Sequence, residues 1–109
     1  MKYKLKVIGS FNREAKRLIK KYPSLRLEIE DLGNELATDP FQGTPLGKGF
    51  FKIRLAIKSK GKGKSGGARV ITFVKVVNEV VYLASIYDKS EKSDLSLEEL
   101  NSLFGEIEE

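Results

Sequence analysis

The chain has 109 residues, no cysteine, no histidine and a formal net charge of +5. These absences exclude disulfides, thiolate metal sites and most zinc sites, and they leave acid–base chemistry to Lys, Arg, Tyr, Asp or Glu. The length suits one domain, which we expect to span residues 1–109, and the basic balance favours a polyanionic partner. No apolar run in the sequence is long enough to span a membrane and the N-terminus opens no signal peptide, so we expect a cytoplasmic protein without a membrane partner.

The first half of the chain predicts one strand and two helices. Residues 2–8 alternate lysine with apolar side chains, which is typical of a strand. Apolar residues then recur at helical spacing from Ala15 to Tyr22, and Pro23 ends that helix because proline lacks an amide donor. A second helix with an apolar stripe follows and ends before Pro40. Two such helices in succession predict a helical hairpin that covers one face of a sheet.

The second half predicts a turn-rich loop, three strands and a last helix. Glycine and proline recur through residues 41–49, so we expect no regular structure there. Phe51–Ile57, Val70–Val74 and Val80–Tyr87 have the alternation or the β-branched and aromatic content of strands. A helix with one apolar face follows over Leu97–Phe104. The order β-α-α-β-β-β-α predicts an α+β fold with a mainly antiparallel sheet and its helices on one face.

A strongly cationic stretch connects the first two of these three strands, and we call Lys58–Arg69 the basic segment. It contains no acid, and its cations are Lys58, Lys60, Lys62, Lys64 and Arg69. A stretch so rich in glycine and lysine cannot bury itself, so its charges favour a polyphosphate or an acidic partner. It lacks the spacing and the following helix of a nucleotide-binding loop, so we expect no small-molecule cofactor.

Strand alternation predicts which side chains share a face of the sheet. If the apolar residues of the first of these three strands face the helices, then Lys52, Arg54 and Lys58 point outward. Arg69 begins the next strand, and Tyr87 ends the one after it. Cations beside a phenol on an open sheet surface are typical of a phosphate-backbone site with a stacking partner.

Each of these residues also has a simpler interpretation, which the sequence leaves open. Exposed lysines are often only solvated. The arginines could form ion pairs with Glu91 or Asp88, and Tyr87 could simply pack.

Three stretches together resemble the RelE/ParE superfamily of toxin–antitoxin toxins, and most of all its HigB-like branch. They are residues 50–56, 61–71 and 86–91, which contain K-G-K-x-G-G-x-R followed by I-Y-x-K-x-E. The element order also matches that family's β-α-α-β-β-β arrangement, so the resemblance extends over nearly the whole chain. It implies the toxin of a type II toxin–antitoxin pair, with a small, acidic cognate antitoxin as its partner.

The resemblance further implies a ribosome-dependent endoribonuclease, an mRNA interferase that cleaves mRNA in the ribosomal A site and inhibits translation. In such enzymes the ribose 2′-OH attacks its own 3′ phosphate without a metal ion. By the same resemblance Arg69 is the main cation that stabilises the transition state, Arg54, Lys52 and Lys89 are further basic residues, and Tyr87 stacks on a base or transfers a proton. The lysines of the basic segment are expected to bind the RNA: Lys58, Lys60, Lys62 and Lys64.

Two departures from the family pattern leave the general base open. Residues 97–109 lack the tyrosine that many RelE-like toxins carry there, and the chain lacks the histidine that some HigB members use. A lysine with a lowered pKa, such as Lys52 or Lys60, could act as the base, and so could Glu91 or Asp88. Two other functions stay open: a ParE-like inhibitor that binds DNA gyrase without chemistry, and an inactive member that only binds an antitoxin.

Overall fold

The computed structural model describes residues 2–61, 63 and 66–108. In chain order its elements are β1 Lys4–Val7, α1 Gly9–Lys21, α2 Leu25–Thr38, β2 Thr44–Gly47, β3 Phe50–Leu55, β4 Ala68–Lys75, β5 Val80–Asp88 and α3 Leu97–Glu108. A short 3-10 turn, Lys58–Lys60, follows β3. Both predicted helix ends are confirmed, since α1 and α2 stop just before Pro23 and Pro40. None of the helices within the described ranges is long and apolar enough to cross a membrane.

Within the described residues, five strands form one sheet in the order β1-β5-β4-β3-β2. β1 runs parallel to β5, and the other neighbouring strands are antiparallel. The prediction of a mainly antiparallel sheet is therefore confirmed. The expectation of an irregular loop over residues 41–49 is wrong for Thr44–Gly47, which forms the edge strand β2. Pro45 is tolerated there because an edge strand has one side without ladder hydrogen bonds.

The helical hairpin of α1 and α2 covers one face of the sheet, as predicted. Leu18, Leu25 and Leu36 of the hairpin are fully buried. Each contributes about 1.5–3 kcal/mol through the apolar surface it removes from water. They belong to one core with inward side chains of β3, β4 and β5, among them Ile53, Val70, Val74, Val81, Leu83 and Ile86. The predicted inward direction of Phe51, Ile53 and Leu55 is confirmed.

The third helix, α3, packs on the opposite face of the sheet. Leu103 of α3 and Leu95 just before it join a second core with Phe50, Phe73 and Tyr87. The expectation that all helices share one face is therefore wrong. An amphipathic pattern shows that a helix has an apolar side, but not which face of a sheet that side meets. As a result, the face that carries the predicted site residues is partly covered.

Candidate active site

Strand register places three predicted site residues side by side on the face covered by α3. Arg54 of β3 is paired with Arg69 of β4, and Arg69 is paired with Tyr87 of β5. The Cβ atoms of directly opposed residues lie about 4.5–5.5 Å apart. Like charges in opposed positions destabilise a sheet, whereas two guanidinium groups together bind phosphate well. We call Arg54, Arg69 and Tyr87 the central row; its chemistry favours an anionic ligand.

The members of the central row differ in exposure. Arg54 is exposed to solvent, whereas Arg69 is 3% exposed and Tyr87 is 6% exposed. Arg69 Nη1 donates a hydrogen bond to the backbone oxygen of Ala68 at 3.1 Å. A ligand can therefore contact Arg54 at the surface, whereas Arg69 and Tyr87 are largely shielded from solvent.

Asp94 lies between β5 and α3 and contacts two of the predicted site residues. Its Oδ1 accepts hydrogen bonds from Lys52 Nζ at 3.5 Å and from Tyr87 OH at 3.4 Å. The backbone amide of Leu95, together with the Lys52 ammonium, lowers the pKa of Asp94, so the carboxylate is ionised at neutral pH. The Asp94 side chain is 61% exposed and held by few groups. An oxygen of an anionic ligand could make the same two contacts with Lys52 and Tyr87 that the carboxylate makes.

Tyr87 is a phenol, not a phenolate, at neutral pH. Burial, followed by the negative charge of Asp94, raises the pKa of Tyr87 to about 12. The Nζ of Lys92 lies 5.9 Å from the centroid of the Tyr87 ring, and Lys92 is also ion-paired with Glu99 of α3. Tyr87 can therefore donate a hydrogen bond or a proton, but it is not available as a base.

The lysines of the basic segment have different surroundings. Lys58 is exposed, whereas Lys62 and Lys64 lie outside the described residues. The side chain of Lys60 is 10% exposed, and its ammonium donates to Asp88 Oδ1 at 2.5 Å. Lys60 therefore faces the interior and not an RNA ligand, which corrects its expected role.

The other basic and acidic candidates also have defined places. Lys89 follows β5 directly and its side chain is exposed. Glu91 accepts hydrogen bonds from Arg17 and Lys21, and Asp88 is occupied by Lys60. Neither carboxylate contacts Arg54 among the described hydrogen bonds, and both already serve other cations, which counts against them as the general base.

Sequence reasoning missed the part played by Asp94. The available signal was the acidic composition of residues 94–109, but nothing in it indicates a contact with Lys52, which lies 42 positions away. Among the described residues, no group of three or more acidic side chains is close enough to hold a metal ion.

Two comparisons with known proteins bear on this arrangement. A family model described as the RelE toxin of the RelE / RelB toxin–antitoxin system matches residues 6–105. The chain is also similar to a solved structure of the E. coli toxin RelE, a double mutant in the free state, with a TM-score of 0.62. The two are 16% identical, and the match covers 97% of this chain and 94% of that chain. At this identity the likeness shows the fold, and the HigB-like branch stays a prediction.

Proposed function

The chain belongs to the RelE toxin family of toxin–antitoxin systems, and on that premise we propose that it is a ribosome-dependent endoribonuclease. It would cleave mRNA in the ribosomal A site and so inhibit translation in the cytoplasm. The observation that carries the proposal is the central row, in which Arg54 and Arg69 stand next to Tyr87 on three adjacent strands.

The charge of the sheet face supports RNA as the ligand. Lys52 and Arg54 lie two positions apart on one strand, and alternation places them on the same side. The planar guanidinium of arginine binds phosphate oxygens through two parallel hydrogen bonds, and the hydroxyl of Tyr87, which donates to the exposed carboxylate of Asp94, can donate to a phosphate oxygen instead. Exposed Lys58 and Lys89 follow the ends of β3 and β5, which lie at the same edge of the sheet, and they add positive charge there. Together these groups match the phosphate backbone of a single-stranded RNA.

The proposed reaction is a transfer of the phosphoryl group within the RNA. The ribose 2′ oxygen loses its proton to a base and attacks the adjacent phosphorus, and the bond to the 5′ oxygen of the next nucleotide breaks. Arg69 and Arg54 stabilise the negative charge on the phosphorane oxygens, and removal of one such donor in an enzyme costs about 100- to 1000-fold in rate. Tyr87, which is protonated at neutral pH, donates a proton to the leaving 5′ oxygen.

Membership of the family implies an antitoxin partner. We propose that this antitoxin is acidic, because the toxin carries a net charge of +5 and its cations concentrate in the strands and in the basic segment. Binding of an acidic chain over that surface would neutralise the site.

The proposal is tested by adding the purified protein to ribosomes stalled on a defined mRNA and mapping the new RNA ends. We expect cuts within the A-site codon that leave a 2′,3′-cyclic phosphate and a 5′-hydroxyl, and no cuts in the same RNA without ribosomes. Intact mRNA in both reactions would refute the ribonuclease, and inhibition of DNA gyrase would then be the function to assay.

A further inference from the structure

The carboxylate of Asp88 is the centre of a buried polar cluster at the end of β5. Asp88 is fully buried. Its Oδ1 accepts hydrogen bonds from Lys60 Nζ at 2.5 Å, from the Ser90 amide at 2.9 Å and from Ser90 Oγ at 2.8 Å, and its Oδ2 accepts one from Tyr22 OH at 2.9 Å. Burial alone would raise the pKa of Asp88, but these hydrogen bonds hold it well below its ordinary value. The carboxylate is therefore ionised and fully occupied by donors.

The cluster fixes the start of the basic segment. Lys60 ends the turn Lys58–Lys60, and its ammonium also donates to Ser90 Oγ at 3.1 Å. An ion pair with so little exposure costs a large desolvation free energy on folding, which a lysine in a solvated loop would not incur. The chain accepts this cost at Lys60, which indicates that the turn Lys58–Lys60 has to lie at this place beside β5.

The same turn is also hydrogen-bonded to the first turn of α2 and to Ser24, the residue before it. The amide of Lys58 donates to Glu28 Oε2 at 2.7 Å. The amide of Ser59 donates to Ser24 Oγ at 2.9 Å, and the Ser24 amide donates back to Ser59 Oγ at 2.9 Å. The turn is thereby held between the helical hairpin and the end of β5.

The residues beside Asp88 hold the other end of the basic segment. The amide of Lys89 donates to the backbone oxygen of Gly67 at 3.1 Å, and Asp88 itself is paired with Ala68 across β4 and β5. Arg69 follows Ala68 directly and is paired with Tyr87. One short stretch, residues 87–90, therefore contacts both ends of the basic segment and also supplies a member of the central row.

We propose that Asp88 and Lys60 form a positioning pair, which holds the turn Lys58–Lys60 and the start of β4 at fixed places beside the central row, so that Lys58 and Arg69 meet the RNA in one arrangement. The inference rests on the proposed ribonuclease function. Neither residue touches the reacting atoms; the pair acts through the turn Lys58–Lys60 and through the pairing of Asp88 with Ala68, the residue before Arg69.

Three variants separate positioning from simple stability. Lys60→Met and Asp88→Asn each leave one buried partner without its counter-charge, so we expect both single variants to unfold at a lower temperature. The double variant Lys60→Met/Asp88→Asn removes both charges, and we expect its unfolding temperature to return towards that of the wild type. Because the ion pair between Lys60 and Asp88 is still absent, cleavage of ribosome-bound mRNA at saturating protein should stay about 10- to 100-fold slower than in the wild type.

Recovery of both the unfolding temperature and the cleavage rate in the double variant would overturn the proposal, since the pair would then be only structural. Ser90→Ala keeps the test available if the double variant does not fold, because Ser90 is exposed and its hydroxyl contacts both members of the pair. We expect Ser90→Ala to slow cleavage about two- to fivefold, while Ser93→Ala, an exposed serine in the same connection, leaves it unchanged. A wild-type rate in Ser90→Ala would contradict the positioning role.

Amide hydrogen exchange distinguishes a failure of this inference from a failure of the ribonuclease proposal. If the wild type cleaves no RNA, the proposed function is refuted, but the effect of the Lys60–Asp88 pair on the neighbouring backbone can still be measured. At matched unfolding temperature, faster exchange of the amides of Lys60, Gly61 and Lys89, which donate hydrogen bonds in the wild type, would support the inference when seen in the double variant. Unchanged exchange at these amides would overturn it.

Discussion

At the scale of single residues, burial raises the pKa of Tyr87, and this shift predicts that the stability of the protein depends on pH. Its pKa is about 12 in the folded protein and about 10 in an unfolded chain. The stabilisation from this difference is fully present below pH 10 and is lost as pH rises from about 10 to 12, because the unfolded state then releases the proton more readily. Urea unfolding of the wild type and of Tyr87→Phe across this range should show an alkaline loss that the variant lacks. Parallel curves would contradict the assignment.

If the carboxylate of Asp94 occupies a phosphate position of the proposed RNA site, its removal should strengthen RNA binding. Exposed ion pairs such as Lys52–Asp94 contribute about 0.2–1 kcal/mol, so we expect Asp94→Asn to bind a short single-stranded RNA about two- to fivefold more tightly. Glu98→Gln, an exposed acid of α3, removes the same charge as a control. Fluorescence anisotropy at one salt concentration measures the affinity of both variants for the RNA. Equal or weaker binding by Asp94→Asn would show that the carboxylate does not occupy a phosphate position.

Strand alternation is enough to predict, from the sequence, that Arg54 lies on the face opposite the hairpin. The interior position of Lys60 is a different case. A lysine among glycines resembles a solvated residue, and its partner Asp88 is 28 positions away, at the end of β5. A contact of this kind depends on how β4 and β5 pair, which local periodicity does not encode.

At the scale of elements, two glycines predict opposite effects of the same substitution. A Cβ at Gly67 would lie 2.2 Å from the backbone oxygen of Leu55, so Gly67→Ala must displace β3 or the end of the basic segment. We expect a loss of about 1–3 kcal/mol in the free energy of unfolding. Gly105 is exposed within α3, and a Cβ there meets no described atom within 4 Å. Gly105→Ala should therefore add up to about 1 kcal/mol through helix propensity.

Chemical denaturation of both glycine variants measures the difference. A stable Gly67→Ala protein would show that the close approach between β3 and the basic segment is not required.

Thr72 in β4 offers a second stability test, now within the core. It is fully buried, and its Oγ1 has no hydrogen-bond partner within the described part of the chain. Thr72→Val keeps the shape and removes the unsatisfied hydroxyl, so the free energy of unfolding should rise by about 1 kcal/mol. Thr44→Val, at an exposed position of β2, should change it by less than about 0.5 kcal/mol. A destabilised Thr72→Val would mean that the hydroxyl has a partner.

Elements with a strong local pattern were predictable, and two others were not. Prolines and apolar spacing are sufficient for the ends of α1 and α2. β2 contains Pro45 and lies among glycines, so its pairing with β3 follows from the neighbouring strand and not from its own sequence. The face on which α3 packs is likewise decided by the second core, where Phe50, Phe73 and Tyr87 already present an apolar surface.

At the scale of the whole molecule, the distribution of charge separates a basic surface from an acidic cover. The central row and the basic segment carry cations, while the last stretch, from Asp94 onward, contains acids and no cation. Asp94 and Glu99 of that stretch bind Lys52 and Lys92 around Tyr87. If the central row binds RNA as proposed, the stretch from Asp94 onward lies over part of that site.

The catalytic role of the central row is tested by the single-turnover rate of mRNA cleavage on ribosomes by Arg54→Ala, compared with Lys75→Ala. Both residues are exposed, and Lys75 lies at the far end of β4, about 20 Å along the strand from Arg69. We expect Arg54→Ala to cleave about 100-fold more slowly than the wild type, and Lys75→Ala to cleave within about twofold of it, with both proteins unfolding at the wild-type temperature. Wild-type cleavage by Arg54→Ala, or an equal loss in both variants, would contradict the assignment of the central row as the active site.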